Sequence, residues 1–402
     1  YWSLPDRSHP VKAWIEEQLD AGIDFYKLEI EQRNWYGFWD YGDVMHAYDP
    51  VRHTWRYDVG GYAWANTELM PDMWLWYSFL RTGRHDIFRV AEAMTRHTAE
   101  VDVYHIGEFA GLGSRHNVSH WGCGAKEVRI SQAPLKRFYY YLTTDERTGD
   151  LMHEVTTAAN DAIGRINPLR LILPPPKHPT YARVGPDWFA LVGNWMTEWE
   201  RTGDEIWRDK IITGVNSFAA MPYGFFSGKG GAFGYDPEKY ELYMAGDDPI
   251  GFSHLSVLMG GPEVAFELSD FIDNNNWNSL WLQYCELVGA DKDRITKVLG
   301  AEIEFGYGGP HFARMPAYAA MINHDSALAQ KAWEQFLYPW FGRFGNPFEP
   351  SLVKKPKVLE DIFEIPRVST NNSAQWSLNA IQLLEFIGDF IPDKTPEEYY
   401  AE

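Results

Sequence analysis

The sequence has few cysteines, no long apolar run and a shortage of positive charge. Its two cysteines, Cys123 and Cys285, are too few for a disulfide framework and lack the spacing of zinc ligands, so we interpret both as buried thiols. No uncharged apolar run approaches the roughly 18 residues of a membrane-spanning helix. The first residues show no secretory signal pattern. We therefore expect no membrane partner, and the sequence leaves the compartment open.

The charge balance excludes one class of partner. The chain has 36 Lys and Arg against 56 Asp and Glu, a formal net charge of −20, which argues against binding to a nucleic-acid backbone. A small acidic substrate stays compatible, because a few cations in one cleft create a local positive potential. Phosphate-binding loop, dinucleotide-binding, zinc-protease and serine-hydrolase motifs are absent from the sequence, which disfavours those enzyme classes.

Aromatic residues are abundant. Phe, Trp and Tyr make up 16% of the 402 residues, with 18 Trp and 23 Tyr. More than half of them would fill a large core. Sugar rings also stack on Trp and Tyr, so aromatic residues placed in loops point to a carbohydrate ligand.

Helical hairpins recur along the chain. Thr-Gly pairs occur at three places, ending at Gly83, Gly149 and Gly203. Each lies between segments whose apolar residues repeat about every 3.6 positions, the period of a helix. Because glycine is favoured at the end of a helix, each pair predicts a turn between two helices. Less regular copies follow. A last helix over 377–390 is predicted to pair with the opening one over 11–30.

These patterns predict an all-α fold, an (α/α) toroid (barrel) of six to seven helical hairpins with little β structure, as a single domain over residues 1–402. In such a toroid the long connections between hairpins share one rim, where binding residues usually lie. The long connections are 99–122, 167–186, 221–249 and 339–372.

Polar and aromatic residues cluster in these loops, just before the predicted inner helices. The densest cluster holds His116, Asn117, His120 and Trp121 within six residues, a composition that is untypical of a core. We predict that it lies at the active site. Other candidates in similar positions are Trp39, Asp40, Asp43, Arg56, Tyr57, Tyr235, His311, Arg314, Asn371, Asn372 and Trp376.

The run from His116 to Gly122, continued by residues 126–130 and 137–142, resembles the rhamnogalacturonan exolyase and YetA-like family. A looser likeness extends over the whole chain, including residues 39–43 and 371–373. Members of that family combine β-sandwich domains with an α/α toroid, and this chain is similar to the toroid alone. The resemblance implies a polysaccharide lyase that cleaves a pectin-like glycan by β-elimination at a 4-linked galacturonic acid.

β-Elimination needs a group that neutralises the uronate carboxylate, a base for the C5 proton and an acid for the leaving oxygen. The candidates are, in that order, Asn117 with Arg314 or Arg56, His120 or His116, and Tyr57 or Tyr235. The residues expected to bind substrate are Trp39, Asp40, Asp43, Trp121, His311, Asn371, Asn372 and Trp376.

Three alternatives remain open. A glycoside hydrolase needs two carboxylates about 5 to 10 Å apart, for which the candidates are Asp40, Asp43, Asp58, Glu68, Asp247 and Asp248. A non-catalytic carbohydrate-binding toroid would keep the aromatic residues without needing clustered histidines. A sugar epimerase would also use paired histidines.

We expect that the elimination requires no cofactor. The alternative is a calcium site, since calcium prefers carboxylate oxygens as ligands. The candidate ligands are Asp40, Asp43, Asp247 and Asp248. The expected partner is an acidic oligo- or polysaccharide, with no nucleic acid and no membrane, and the oligomeric state stays open.

Replacing His120 or Asn117 by alanine is expected to lower the elimination rate at least about 100-fold, the lower end of what a positioned acid or base contributes. Ultraviolet absorbance of the unsaturated product, measured on pectic, glucuronan and alginate-type substrates, tests this. Hydrolysis would give reducing ends without absorbance, and epimerisation would give neither. Variants with wild-type rates would exclude the cluster from the site.

Overall fold

The structure is a computed structural model that describes residues 1–58, 63–114, 122–168, 177–245, 250–306, 309–338 and 348–401. Backbone packing divides these residues into two compact units. Unit 1 comprises the described residues within Tyr1–Thr98, Arg115–Gly124 and Ala320–Glu402, and unit 2 those within Ala99–Ser114 and Ala125–Ala319. The prediction of a single domain over 1–402 stays a prediction.

Helices dominate the described residues, which confirms the all-α fold class with little β structure. The fifteen α-helices of this part of the chain are α1 Pro10–Arg33, α2 Pro71–Thr82, α3 His85–Arg96, α4 Arg137–Thr143, α5 Glu146–Arg165, α6 Ala190–Thr202, α7 Glu205–Ala219, α8 Leu255–Leu258, α9 Gly261–Phe271, α10 Asn275–Leu287, α11 Lys292–Leu299, α12 Arg314–Asn323, α13 Ser326–Leu337, α14 Thr370–Ile387 and α15 Pro396–Tyr400.

The strands are short and antiparallel. They are β1 Tyr48–Asp49, β2 Thr54–Trp55, β3 Gly113–Ser114, β4 Lys126–Glu127, β5 Thr180–Arg183, β6 Ala232–Asp236, β7 Glu241–Met244, β8 Ser351–Val353 and β9 Ile362–Glu364. They pair as β1–β2, β3–β4, β5–β6–β7 and β8–β9.

Two of the predicted Thr-Gly turns are confirmed. Gly83 ends α2 with φ of 66° and Gly203 ends α6 with φ of 70°. This left-handed conformation is open to glycine at little steric cost, and it reverses the chain into the next helix. The hairpins α2–α3 and α6–α7 follow directly from it.

The third predicted turn is wrong. Gly149 lies inside α5, and the left-handed residue that ends α4 is Thr144, with φ of 56°. The Asp145 side chain accepts a hydrogen bond from the Thr148 backbone N–H at 2.8 Å and so begins α5 before Gly149. A β-carbon at Gly149 would come within 2.7 Å of the Tyr140 ring, so this glycine serves the close approach of α4 and α5.

In unit 1, the predicted pairing of the last long helix with the opening one is confirmed. The Tyr26 hydroxyl of α1 donates to Ser373 Oγ of α14 at 3.2 Å, and the Trp14 and Trp376 rings meet edge to face at 6.2 Å. Helix α14 begins at Thr370, seven residues before its predicted start at residue 377. Its side chains are almost all buried, which is typical of an inner helix.

In unit 2, the sheet β5–β6–β7 occupies segments that were predicted as loops. Strand β6 is buried at all five positions. It therefore lacks the alternation of apolar and polar residues that reveals a half-exposed strand in a sequence. The order β5–β6–β7 adds a small sheet to the helical hairpins of this unit.

Cys123 and Cys285 are buried thiols, as predicted, and burial raises the pKa of Cys285 well above its usual value. Within the described ranges, no helix combines the length and the hydropathy that crossing a bilayer requires.

Replacing Gly203 by alanine is expected to lower the free energy of unfolding by about 1 kcal/mol, because a β-carbon disfavours the left-handed backbone conformation. No atom lies within 4 Å of that β-carbon position, so the cost is conformational alone. Urea unfolding measures it, with Gly203→Asn as the milder control. An unchanged midpoint for Gly203→Ala would contradict the turn geometry.

Candidate functional site

The β1–β2 hairpin of unit 1 is attached to α1 by a buried hydrogen bond. The Trp55 indole N–H donates to Glu29 Oε2 at 2.6 Å, and both side chains are fully buried. Just after the hairpin, the Arg56 backbone N–H donates to the Ala47 carbonyl at 2.9 Å. The predicted site residues Arg56 and Tyr57 are therefore held at a fixed place relative to α1.

A polar network surrounds this attachment. Burial raises the pKa of Glu29, an effect opposed by the hydrogen bond from Trp55 and by Arg33, whose Nε lies 3.1 Å from Glu29 Oε2. Arg33 also donates to the Tyr48 hydroxyl at 3.1 Å, and Tyr48 donates to Glu364 at 2.6 Å. The hairpin is thus linked to α1 on one side and to β9 on the other.

Tyr57 presents its phenol to solvent. Its side chain is 43% exposed, and its oxygen accepts a hydrogen bond from the Trp35 indole N–H at 3.2 Å. Trp35 is buried, with its ring 5.4 Å from the Trp55 ring. Because the phenol oxygen is the acceptor here, the proton of Tyr57 stays available to a ligand.

Arg56 is exposed beside it. Within the described part of the chain, its guanidinium takes part in no ion pair, whereas the neighbouring Arg52 binds Asp49 at 2.7 Å and Asp58 at 3.0 Å. The hydrogen bond from Arg52 lowers the pKa of Asp58, so this carboxyl is a poor proton donor. Arg56, whose charge also helps to lower the pKa of Asp58, is therefore better placed than Arg52 to bind the carboxylate of a ligand.

The loop after α1 carries exposed aromatic rings. Trp39, one of the predicted substrate-binding residues, is half exposed, as are Tyr36 and Tyr41, and Phe38 is almost fully exposed. Asp40 is partly buried beside them. Such rings offer flat apolar faces to solvent, which suits stacking on sugars.

Asp43 is held in the interior of unit 1. Its Oδ1 accepts from the backbone N–H groups of Val44 and Asn66, both at 2.7 Å, and its Oδ2 lies 3.7 Å from His97 Nε2. Its side chain is almost fully buried and supports the entrance to α2.

That entrance is strained. Asn66, Leu69 and Met70 have φ of 37°, 51° and 70°, values that non-glycine residues rarely adopt and that concentrate at functional sites. Glu68, one of the hydrolase candidates, lies buried within this segment. A buried carboxylate on a strained segment is a feature that the sequence did not indicate.

The start of α14 meets the loop after α1. Asn371 Nδ2 lies 2.8 Å from His46 Nε2, and the Thr370 hydroxyl donates to the Met45 carbonyl at 2.5 Å, across 325 residues of sequence. Asn372, the next residue in the sequence, is partly buried. Trp376 lies deeper, 5.4 Å from the Phe336 ring, in the core of unit 1. Because Trp376 is buried, its ring contributes to the packing of unit 1.

Three predicted site residues of unit 2 are fully buried, namely Tyr235, His311 and Arg314. The Tyr235 hydroxyl donates to Asn160 Oδ1 at 2.7 Å, and burial raises its pKa well above the usual value. Arg314 forms an ion pair with Glu263 and donates to the Val257 carbonyl at 2.8 Å. The structure thus gives Tyr235 and Arg314 internal partners, and the roles of all three residues toward substrate stay predictions.

Unit 2 also contains an ionic cluster that was not predicted. Glu127 contacts Arg129 and, at 2.8 Å, Arg183, which binds Asp187 through two nitrogens at 2.7 and 3.0 Å. Burial lowers the pKa of Arg183, but Asp187 and Glu127 raise it by more. The signal in the sequence was the alternation of charge at Lys126, Glu127 and Arg129 in a segment without helical spacing.

The strand pair β3–β4 aligns Ser114 with Lys126, and Lys126 Nζ donates to Ser114 Oγ at 2.8 Å. The predicted cluster lies between these two strands in the sequence. Its members His116, Asn117, His120 and Trp121 fall outside the described residues, as do Asp247 and Asp248. In the ranges that are described, no group of three or more His, Cys, Asp or Glu is placed to hold a metal ion.

Comparison with known proteins supports the fold. Residues 1–392 match the sequence model of a family described as the PcRGLX-like protein C-terminal α/α toroid domain, which confirms both the resemblance and the toroid fold class. The uncharacterized protein YetA of Bacillus subtilis (strain 168) is 49% identical over 395 residues, covering 98% of this chain and 45% of that protein. The chain therefore spans about half the length of the curated relative.

Replacing Arg314 by methionine is expected to lower the free energy of unfolding by about 3 to 5 kcal/mol, because the buried Glu263 carboxylate loses its compensating charge. The double variant Arg314→Met with Glu263→Leu should recover most of this loss. Urea unfolding measures both. The matched control is Arg208→Met, which removes an exposed pair with Glu205 and should cost less than about 1 kcal/mol. A single variant as mild as this control would contradict the structural role.

Proposed function

The chain belongs to the family of PcRGLX-like proteins, as their C-terminal α/α toroid domain, and from this premise we propose that it is a polysaccharide lyase. Membership of the family favours a carbohydrate-active enzyme. The proposed substrate is a uronic-acid-containing glycan of rhamnogalacturonan or pectin type, cleaved by β-elimination. The observation that carries the proposal is the exposed Tyr57 phenol, whose oxygen accepts a hydrogen bond from Trp35.

Tyr57 is the proposed acid. In the elimination, a base takes the C5 proton of the uronate, the C–H electron pair forms the C4–C5 double bond, and the C4–O bond breaks toward the leaving oxygen. Tyr57 gives its proton to that oxygen, so no water is consumed. The Trp35 indole N–H, 3.2 Å from the phenol oxygen, stabilises the charge that develops there.

Arg56 is the proposed partner of the uronate carboxylate. Its exposed guanidinium follows the same hairpin as Tyr57, and a guanidinium binds a carboxylate through two parallel hydrogen bonds. Neutralising the carboxylate acidifies the C5 proton. Asn117 is proposed to assist, and His120 or His116 to act as the base, as the sequence resemblance implies.

The aromatic loop after α1 supports a glycan substrate. Trp39 and its exposed neighbours lie on unit 1, as does the β1–β2 hairpin that carries Arg56 and Tyr57. Asp40 and Asn371 are proposed to bind sugar hydroxyls. Asn371 would do so through the amide group that also lies near His46.

A hydrolase is the second candidate, favoured by one observation. Glu68 is a buried carboxyl on a strained segment, next to Asn66, which donates to Asp43. Asp58, however, is ion-paired to Arg52 with a lowered pKa, and Asp43 is occupied by two backbone N–H groups. These features leave elimination better supported than hydrolysis.

Replacing Tyr57 by phenylalanine is expected to lower kcat for elimination about 100- to 10,000-fold, because the proton donor is lost, with little change in KM. Ultraviolet absorbance of the unsaturated uronate on rhamnogalacturonan and homogalacturonan fragments measures the rate.

The matched control for this variant is Tyr141→Phe. Tyr141 is 45% exposed and its hydroxyl donates to Glu200 at 2.7 Å in unit 2, so its removal tests for a general effect of losing a surface phenol. Wild-type rates for Tyr57→Phe, or new reducing ends without absorbance for the parent chain, would exclude the proposed role.

A further inference from the structure

Unit 1 contains a cavity of about 370 Å³ between α1, α3 and the loop after α1. Its walls include Lys27 and Glu31 of α1, Arg89 of α3, and Trp35, Tyr36 and Tyr41 of the loop. Its volume lies within the range of sites that bind small molecules. Asp43, one of the predicted substrate contacts, also lines this cavity, whereas the proposed elimination places none of its reacting groups there.

The loop side of the cavity is an aromatic platform. The Tyr36 and Tyr41 rings are stacked, with centroids 5.9 Å apart and planes inclined by 27°, and both are about half exposed. Leaving stacked rings in water forgoes the stabilisation that burial would give. An aromatic surface of this kind matches the C–H face of a pyranose ring.

The wall of the cavity that α1 and α3 form presents both hydrogen-bond donors and acceptors. Glu31 accepts a hydrogen bond from the Tyr36 hydroxyl, Lys27 pairs with Asp86, and Arg89 pairs with Glu92 at 2.9 Å. The hydrogen bond to Glu31 raises the pKa of Tyr36 to about 12, so its phenol stays neutral. Sugar hydroxyls both donate and accept, and they suit a wall on which both kinds of group alternate.

The charges of this wall favour an uncharged ligand. Lys27 and Arg89, which line the cavity, each lie beside a carboxylate, namely Asp86 and Glu92. Asp43 adds a further carboxylate to the lining. A uronate or phosphate would meet Glu31 and Asp86 without an excess of positive charge. The flat aromatic platform and a wall without excess positive charge therefore favour a neutral pyranose over an anionic one.

We propose that this cavity is a binding site for one neutral sugar residue of a glycan, stacked on Tyr41 and Tyr36. The choice of a glycan as ligand rests on the proposed function, whereas the choice of a neutral residue rests on the cavity alone. The site is separate from Tyr57, although Trp35 contributes to both: its ring lines the cavity and its N–H reaches the Tyr57 oxygen.

Ligand-observed NMR titration of the whole chain tests the site directly. The probes are methyl α-L-rhamnopyranoside and methyl β-D-galactopyranoside, with galacturonate as the acidic comparator. We expect at least one neutral glycoside to bind with a Kd in the millimolar range, and galacturonate to bind this cavity more weakly. Binding of neither neutral probe, or tighter binding of galacturonate through Tyr41, overturns the proposal.

Two variants locate the binding. Tyr41→Ala removes half of the platform, and Val90→Trp fills the cavity from α3; each should raise Kd at least tenfold. The matched control is Tyr400→Ala, since Tyr400 and Tyr41 are both 52% exposed in unit 1, and it should leave Kd unchanged. Thermal unfolding checks that the variants fold, and Tyr41→Ala decides if Val90→Trp does not. Unchanged Kd in a folded variant overturns the proposal.

This titration separates the two proposals. Binding of a neutral glycoside without any elimination on polymeric substrates would leave the cavity site standing and exclude the lyase. Elimination without binding in the titration would do the reverse.

Discussion

The buried hydrogen bond between Trp55 and Glu29 is the contact on which the geometry of unit 1 depends. A carboxyl without exposure is costly unless donors surround it, and here Trp55, Arg33 and Gln32 supply them. The contact fixes the β1–β2 hairpin against α1. Because Trp35 follows α1 and Tyr57 follows the hairpin, the same contact determines how the indole of one approaches the phenol of the other.

This arrangement gives the two exposed groups of the hairpin different chemistry. The Tyr57 oxygen receives a hydrogen bond from a buried donor. The Arg56 backbone is anchored to Ala47, whereas its guanidinium forms no ion pair with the residues that the structure describes. A fixed phenol and an adaptable guanidinium suit proton transfer and carboxylate binding respectively. In unit 2, by contrast, Tyr235 and Arg314 are committed to Asn160 and Glu263, which favours Tyr57 and Arg56 among the alternatives that the sequence left open.

The helices could be predicted from local sequence patterns, whereas the long-range contacts could not be predicted from the sequence. Gly83 and Gly203 correctly predicted turns, because the backbone conformation at a helix end depends on the residue itself. Gly149 predicted a turn that is absent, because Asp145 caps α5 four residues earlier. The loop residues of the site could be recognised by type, as with Arg56 and Tyr57. The partners that define their chemistry could not, since neither the contact of Trp55 with Glu29 nor that of Asn371 with His46, 325 residues away, follows from any spacing.

In the proposed reaction the glycosidic oxygen leaves by elimination, with a proton from Tyr57 and without water. Cleavage of a rhamnogalacturonan fragment in water enriched in ¹⁸O, followed by mass spectrometry of both products, tests it most directly. We expect products that carry no ¹⁸O, one of them lighter by the mass of one water than its hydrolytic counterpart. Products that show no loss of one water and carry one ¹⁸O atom for each bond cleaved would contradict elimination.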